Sequence, residues 1–192
     1  MNPLKLHPDR LFPADSDTRA IARSLYTQVA HLPIVSPHGH TDPRWFAGNE
    51  PFTNAAELLL IPDHYLLRML YSQGIPMERL GVKRRGEKAN ASPREAWQTF
   101  AANYHLFRGT PSRLWLDWVF AEVFGLEQSL STETANSFYD AIGEKLSQEG
   151  FRPRALFERF NIEVIATTES PLDTLEHHQT IAASGWSGRV IT

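Results

Sequence analysis

Two histidines one residue apart, His38 and His40, are the residues whose type and spacing most directly suggest chemistry. They follow a short apolar stretch, Leu32-Pro33-Ile34-Val35, and precede a polar, aromatic run, Thr41-Asp42-Pro43-Arg44-Trp45-Phe46. Along an extended segment, residues i and i+2 project to the same side, so the two imidazoles can share one divalent ion. Neutral imidazole suits zinc, and a catalytic zinc site adds a third protein ligand and keeps one position open for water or substrate. His-x-His is therefore half a site, and on its own it is more often the pattern of surface or hydrogen-bonding histidines. Its place at the end of an apolar strand favours the metal reading, since loops after parallel strands of α/β barrels carry chemistry. The intervening Gly39 permits a close backbone approach.

The elements needed to position these residues can be read from caps and periodicity. Ser16 or Asp17 is expected to cap a helix with Ile21, Leu25 and Val29 on one face. Asn54-Ala55-Ala56-Glu57 reads as a capping-box variant, and Asp63 caps a further helix that Gly74 ends. Ser92-Pro93-Arg94-Glu95 is a full capping box with proline at the first helical position, and Thr110-Pro111 repeats the device in a helix that Gly125 stops. Ser131 is expected to open a helix running toward Gln148. Strands return at Ile162 to Thr168 and at Arg189 to Thr192, flanking a helix predicted over Pro171 to Ser184.

With 192 residues the chain is long enough for an ordinary core yet short of the ~250 of a complete (β/α)8 barrel. A net charge of −3 gives no reason to expect nucleic acid or an anionic membrane as partner. There are no cysteines, so a metal site here would use His, Asp or Glu. The N-terminus, with prolines at 3 and 8 and Lys5, does not read as a signal peptide, and a cytoplasmic location is the default expectation. The basic run Lys83-Arg84-Arg85, with Lys88, reads as a solvated loop tip, and His177-His178 as solvated helix residues.

Asp63-His64-Tyr65 has a local reading in which Asp63 caps a helix, His64 is exposed in its first turn and Tyr65 packs with its hydroxyl at the surface. Arg44 has two readings of equal weight, a bidentate clamp on a ligand carboxylate or a salt bridge to Asp42 or a neighbouring acid. Trp45, Phe46, Trp115, Trp118 and Phe120 read as packing residues rather than sugar platforms.

The segment Ile34 to Phe46, with His38-Gly39-His40 at its centre, resembles the strand-1 metal motif of the uronate isomerases, a branch of the amidohydrolase superfamily. Asp63-His64-Tyr65 with Arg68-Met69, Tyr104 to Ser112 with Leu114-Trp115-Leu116, and Phe160 to Thr168 followed by Ser170-Pro171-Leu172 resemble the same family in the same order. The resemblance covers the chain from about Leu6 onward and corresponds to the N-terminal portion of a protein more than twice as long. It implies an α/β fold, an incomplete metal-dependent-hydrolase-type (β/α)8 TIM barrel with a large, mostly helical insertion after strand 1. On that reading, residues 1–46 hold the N-terminal helix and first strand, 47–160 the insertion, and 161–192 the next barrel elements.

Functionally, the resemblance implies aldose-ketose isomerisation, D-glucuronate to D-fructuronate and D-galacturonate to D-tagaturonate. His38 and His40 would be ligands to a divalent metal, Zn2+ by donor type. Tyr65 and His64 would be catalytic and substrate-binding, and Arg44 substrate-binding. The base is expected to be an aspartate after the last barrel strand, beyond Thr192. Uronate sugars would be the partners, without nucleic acid or membrane, and the full-length protein is expected to be a homo-oligomer. A metal-dependent hydrolase of the same superfamily and an inactive metal- or sugar-binding fragment are the alternatives; His105 and Arg108 have a structural reading as well as a family one.

Overall fold

The computed structural model describes residues 3–83 and 91–192. The basic run read as a loop tip lies, from Arg84 onward, outside the described residues. Contacts divide the chain into two compact units, Met1–Pro8 with Phe52–Ser147, and Asp9–Pro51 with Gln148–Thr192. Residues 148–160, expected within the helical insertion, thus pack with the strands, and residues 3–8 pack with the helices.

The unit carrying the strands contains α1 (Ser16–Val29), β1 (Ile34–Ser36), α2 (Pro43–Gly48), α8 (Pro153–Arg159), β2 (Ile162–Ala166), α9 (Glu176–Ala183) and β3 (Arg189–Ile191). Its β-branched strands form a parallel sheet in the order β1-β2-β3. The β1–β2 register slips once, Ile34 facing Ile162 and Val35 facing Val164. Against the sheet lie α2, α8 and α9, with Phe46, Phe157, Ile165 and Ile181 buried among them. Trp186 completes this core, stacked on Phe46 at 5.7 Å and edge-on to Phe157 at 5.0 Å. Its indole N–H donates to Glu158 at 3.0 Å, so the ring's polar handle is satisfied.

Three local expectations are corrected here. Asp15, rather than Ser16 or Asp17, caps α1, accepting from the Thr18 N–H at 2.8 Å. None of the α1 residues is buried, so its Ile21, Leu25, Val29 face is exposed rather than packed. The stretch from Pro171 is not helical until Glu176, because Leu175 lies in the left-handed region at φ 56° and breaks the helical path before it.

The helical unit contains α3 (Ala55–Leu59), α4 (His64–Ser72), α5 (Pro93–Ala102), α6 (Pro111–Trp118) and α7 (Ala135–Leu146). Asn54, Asp63, Ser92 and Thr110 cap α3 to α6 as their sequence positions predict, with both halves of the box formed at Ser92 and Glu95. The start predicted at Ser131 moves to α7, because the Thr134 hydroxyl accepts the Ser131 N–H at 2.9 Å and holds that segment in a turn. Trp97, Phe100, Tyr104, Phe107, Phe120 and Phe138 are fully buried in this unit and meet largely edge to face. Phe46 and Phe120 are core residues, as expected, but Trp115 and Trp118 are exposed.

Candidate active site at the strand ends

His38 and His40 lie just beyond the C-terminal end of β1, so the site begins at the carboxyl edge of the parallel sheet. Both imidazoles are exposed and converge, with Nε2 to Nε2 3.3 Å and ring centroids 5.0 Å apart. Two nitrogens bound at ~2.0–2.1 Å to one tetrahedral ion stand ~3.3–3.4 Å apart, so the donor pair fits a shared zinc. Among the described residues no group of three His, Cys, Asp or Glu side chains is arranged to hold a metal. These residues offer half of a ligand set.

Local contacts fix the loop that carries the pair. A Cβ built on Gly39 would stand 3.1 Å from the Ala166 carbonyl oxygen, so the backbone approach that glycine permits is to the end of β2. The Thr168 hydroxyl donates to the Gly39 carbonyl at 2.9 Å, tying the loop after β1 to the loop after β2. Gly39→Ala is expected to displace the histidine loop, because the crowding atom belongs to backbone. A destabilisation of about 1 kcal/mol or more follows from overpacking of this kind. In the full-length protein, zinc affinity should fall several-fold, checked by competition with a chromophoric chelator. Unchanged affinity would remove Gly39 from the positioning of the pair.

Asp42 caps α2, accepting from the Arg44 N–H at 2.9 Å, with Pro43 opening the helix. Its carboxylate also receives the Arg44 guanidinium, Nε donating at 2.9 Å to one oxygen and 3.0 Å to the other. This pairing holds the Asp42 carboxyl below the usual carboxylate range, against partial burial, which pushes the other way. The salt-bridge reading of Arg44 is thus present in the structure, and the Arg44 side chain still keeps 69% of its accessible surface. The far end of α2 is held by Arg154, whose guanidinium Nε donates to the Phe46 carbonyl at 2.8 Å, while Asn49 accepts the Arg154 N–H at 3.1 Å.

His40, Asp42 and Arg44 line an open depression of about 470 Å3, together with Thr168, Glu169 and His177 among others. Sequence reasoning passed over Glu169 and treated His177 and His178 alike. His178 corrects the solvated reading: its side chain is 12% exposed and its Nε2 is 2.9 Å from the Thr167 hydroxyl. An adjacent pair on a helix diverges, so one histidine faces the depression and the other the interior. A carboxylate three residues beyond an apolar strand was the available signal for Glu169.

In the helical unit, His64 and Tyr65 open α4, with ring centroids 4.2 Å apart. Asp63 accepts the N–H groups of Tyr65 and Leu66, at 2.8 and 3.2 Å, which is the expected cap. Tyr65 is 64% exposed, so it does not pack into this unit's core. Both candidates are therefore presented at a helix N-terminus, where anionic ligands are favoured. His105 and Arg108 line a separate polar depression of about 320 Å3 beside Arg113 and Glu133. Their neighbour Tyr104 is structural: its buried hydroxyl donates to Asp117 at 2.8 Å, and burial pushes its phenol well above the usual range.

Comparison with known proteins adds an independent line. A uronate isomerase of Rhizorhabdus wittichii is 66% identical over 190 residues, covering 99% of this chain and 40% of that protein. One of Phenylobacterium zucineum is 65% identical over the same span. The crystal structure of glucuronate isomerase from Caulobacter crescentus superposes with a TM-score of 0.96 at 55% identity, covering 100% of this chain and 40% of that one. That of uronate isomerase from Thermotoga maritima gives 0.83 at 26% identity, covering 97% of this chain and 38% of that one. The chain thus spans about 40% of the length of these relatives. A family model described as glucuronate isomerase matches residues 14–191, and with the His38–His40 pair at the strand end this chain belongs to the glucuronate isomerase family.

Proposed function

We propose that the full-length protein carrying these residues is a cytoplasmic uronate isomerase that interconverts D-glucuronate with D-fructuronate and D-galacturonate with D-tagaturonate. The observation that carries this reading is the convergence of His38 and His40 at a parallel strand end, within a chain matched along nearly its whole length by the family. In the same proposal, β1, β2 and β3 are the first strands of a (β/α)8 barrel, with the helical unit inserted after β1. The full-length protein is proposed to act on uronate sugars as a homo-oligomer.

The isomerisation moves a proton from C2 to C1 while the C2 hydroxyl becomes a carbonyl, and negative charge develops on oxygen along the way. His38 and His40 would hold a divalent ion, zinc by donor type, which when bound supplies positive charge to an oxygen of the substrate. Arg44 would meet the uronate carboxylate, since a guanidinium has five N–H donors and Asp42 engages Nε and Nη2. Asp42 then fixes the fork in place, lowering the entropic cost of ordering it on the ligand. Tyr65 and His64 would hydrogen-bond sugar hydroxyls or relay a proton. The base is assigned to an aspartate outside these residues, which would also complete the metal ligands.

A coupled assay of both uronates with the full-length protein, with and without chelator, tests the reading. Turnover lost on chelation and restored by zinc is the expected result; hydrolysis without isomerisation would favour a metal-dependent hydrolase instead. In the same protein, Tyr65→Phe should lower kcat by about tenfold or more, since an amount of that order accompanies one lost hydrogen bond to a reacting group. Thermal stability should hardly change, because the exposed ring is retained. Unchanged kcat and KM for both sugars would return Tyr65 to a surface role.

A further inference from the structure

Glu169 stands at the mouth of the sheet, three residues past the end of β2, and lines the same depression as His40 and Arg44. Its side chain is only 8% exposed, yet Oε2 is buried with no hydrogen-bond partner among the described residues. Carboxylate oxygens in such surroundings are almost always satisfied, so this atom calls for a donor. The hydrogen bonds around it explain why the neighbouring described side chains do not provide one. The Thr167 hydroxyl has a single proton, and it donates to the Ile191 carbonyl at 3.1 Å. Its lone pair must therefore accept from His178, which places a proton on His178 Nε2 directed at Thr167. That nitrogen is 3.9 Å from the nearer Glu169 oxygen, Oε1, beyond hydrogen-bond range.

The missing donor is not the carboxylate of a uronate, which carries the same charge. A uronate also carries several hydroxyl groups, and a hydroxyl donating to a carboxylate makes a strong, charge-assisted bond. We propose that Glu169 is a substrate-binding residue of this site, its Oε2 accepting a hydrogen bond from a hydroxyl group of the bound uronate. The proposal rests on the isomerase reading above. It divides the depression by charge: Arg44 takes the carboxylate end of the sugar and Glu169 a hydroxyl along its chain.

The test is a cycle of protein and ligand changes in the full-length protein. Glu169→Gln and Glu169→Ala are assayed with D-glucuronate and with analogues lacking the hydroxyl at C3, C4 or C5. The Gln variant keeps side-chain volume, so it reads binding even where the Ala variant folds poorly; thermal unfolding of each is recorded alongside. With D-glucuronate, Glu169→Ala should raise KM by about ten- to a hundredfold, the range for losing a hydrogen bond to a charged group, and Glu169→Gln should raise it less. One deoxy analogue should already show that loss with wild-type protein, and the variants should add little to it. A KM unchanged in both variants, or losses that multiply for all three analogues, would overturn the proposal while leaving the isomerase reading intact; a buried water or a merely structural carboxylate gives that pattern. Absence of turnover by the wild-type protein with either uronate would overturn the isomerase reading and this proposal together.

Discussion

His38→Ala and His40→Ala, each made in the full-length protein, are expected to cut uronate turnover by at least about a hundredfold. Removing groups that merely orient a metal-binding histidine costs about 10–100-fold, and losing the ligand itself costs at least as much. The expectation rests on geometry: the two Nε2 atoms stand 3.3 Å apart, so each variant leaves one imidazole where two had converged. Metal content measured by elemental analysis should fall in both variants. Stability at ordinary temperature should change far less than activity, because both rings are exposed and neither supports the Phe46–Phe157–Trp186 core. Variants that keep the wild-type metal content and turnover would show that the pair is a hydrogen-bonded surface feature.

Produced by themselves, these 192 residues are expected to show no measurable isomerisation of either uronate, with or without added zinc. Among the described residues β1 and β3 are each paired on one side only, and a parallel sheet normally has both faces covered. Val35 is 58% exposed and Leu25 on α1 is 65% exposed, together with Ile21 and Val29 on the same face. Fully burying one such side chain contributes about 1.5–3 kcal/mol, so leaving this set in water forgoes several such contributions. The unit with the sheet should therefore bind a hydrophobic dye and aggregate on warming, while the aromatic core around Trp97 and Phe120 keeps the helical unit's circular-dichroism signal. Zinc should bind weakly to the histidine pair. Turnover comparable to that of the full-length protein would show that the base and remaining ligands lie within these residues.

By itself the sequence determined the features that depend on neighbours a few positions away. Caps at Asn54, Asp63, Ser92 and Thr110 are legible because a side-chain oxygen there reaches an N–H two or three residues on, whatever the rest of the chain does. The alternation that sends His38 and His40 to one side of their segment is equally local, and the β-branched run from Ile162 marks its strand without help. Family motifs fixed the order of the segments for the same reason, since each is a short contiguous string. Tertiary structure alone decided what depends on residues far apart in the chain. The amphipathic pattern of α1 predicts a buried face, but burial needs a second surface, and among the described residues none covers Ile21, Leu25 and Val29. Trp115 and Trp118 are exposed for a similar reason: α6 lies against the aromatic core through Leu116 instead. His177 and His178 are indistinguishable in sequence, yet α9 packed beside β3 turns one toward the depression and the other onto Thr167. Glu169 owes its buried, unsatisfied oxygen to the pairing of β2 with β3, which commits Thr167 to Ile191 and draws His178 away from the carboxylate.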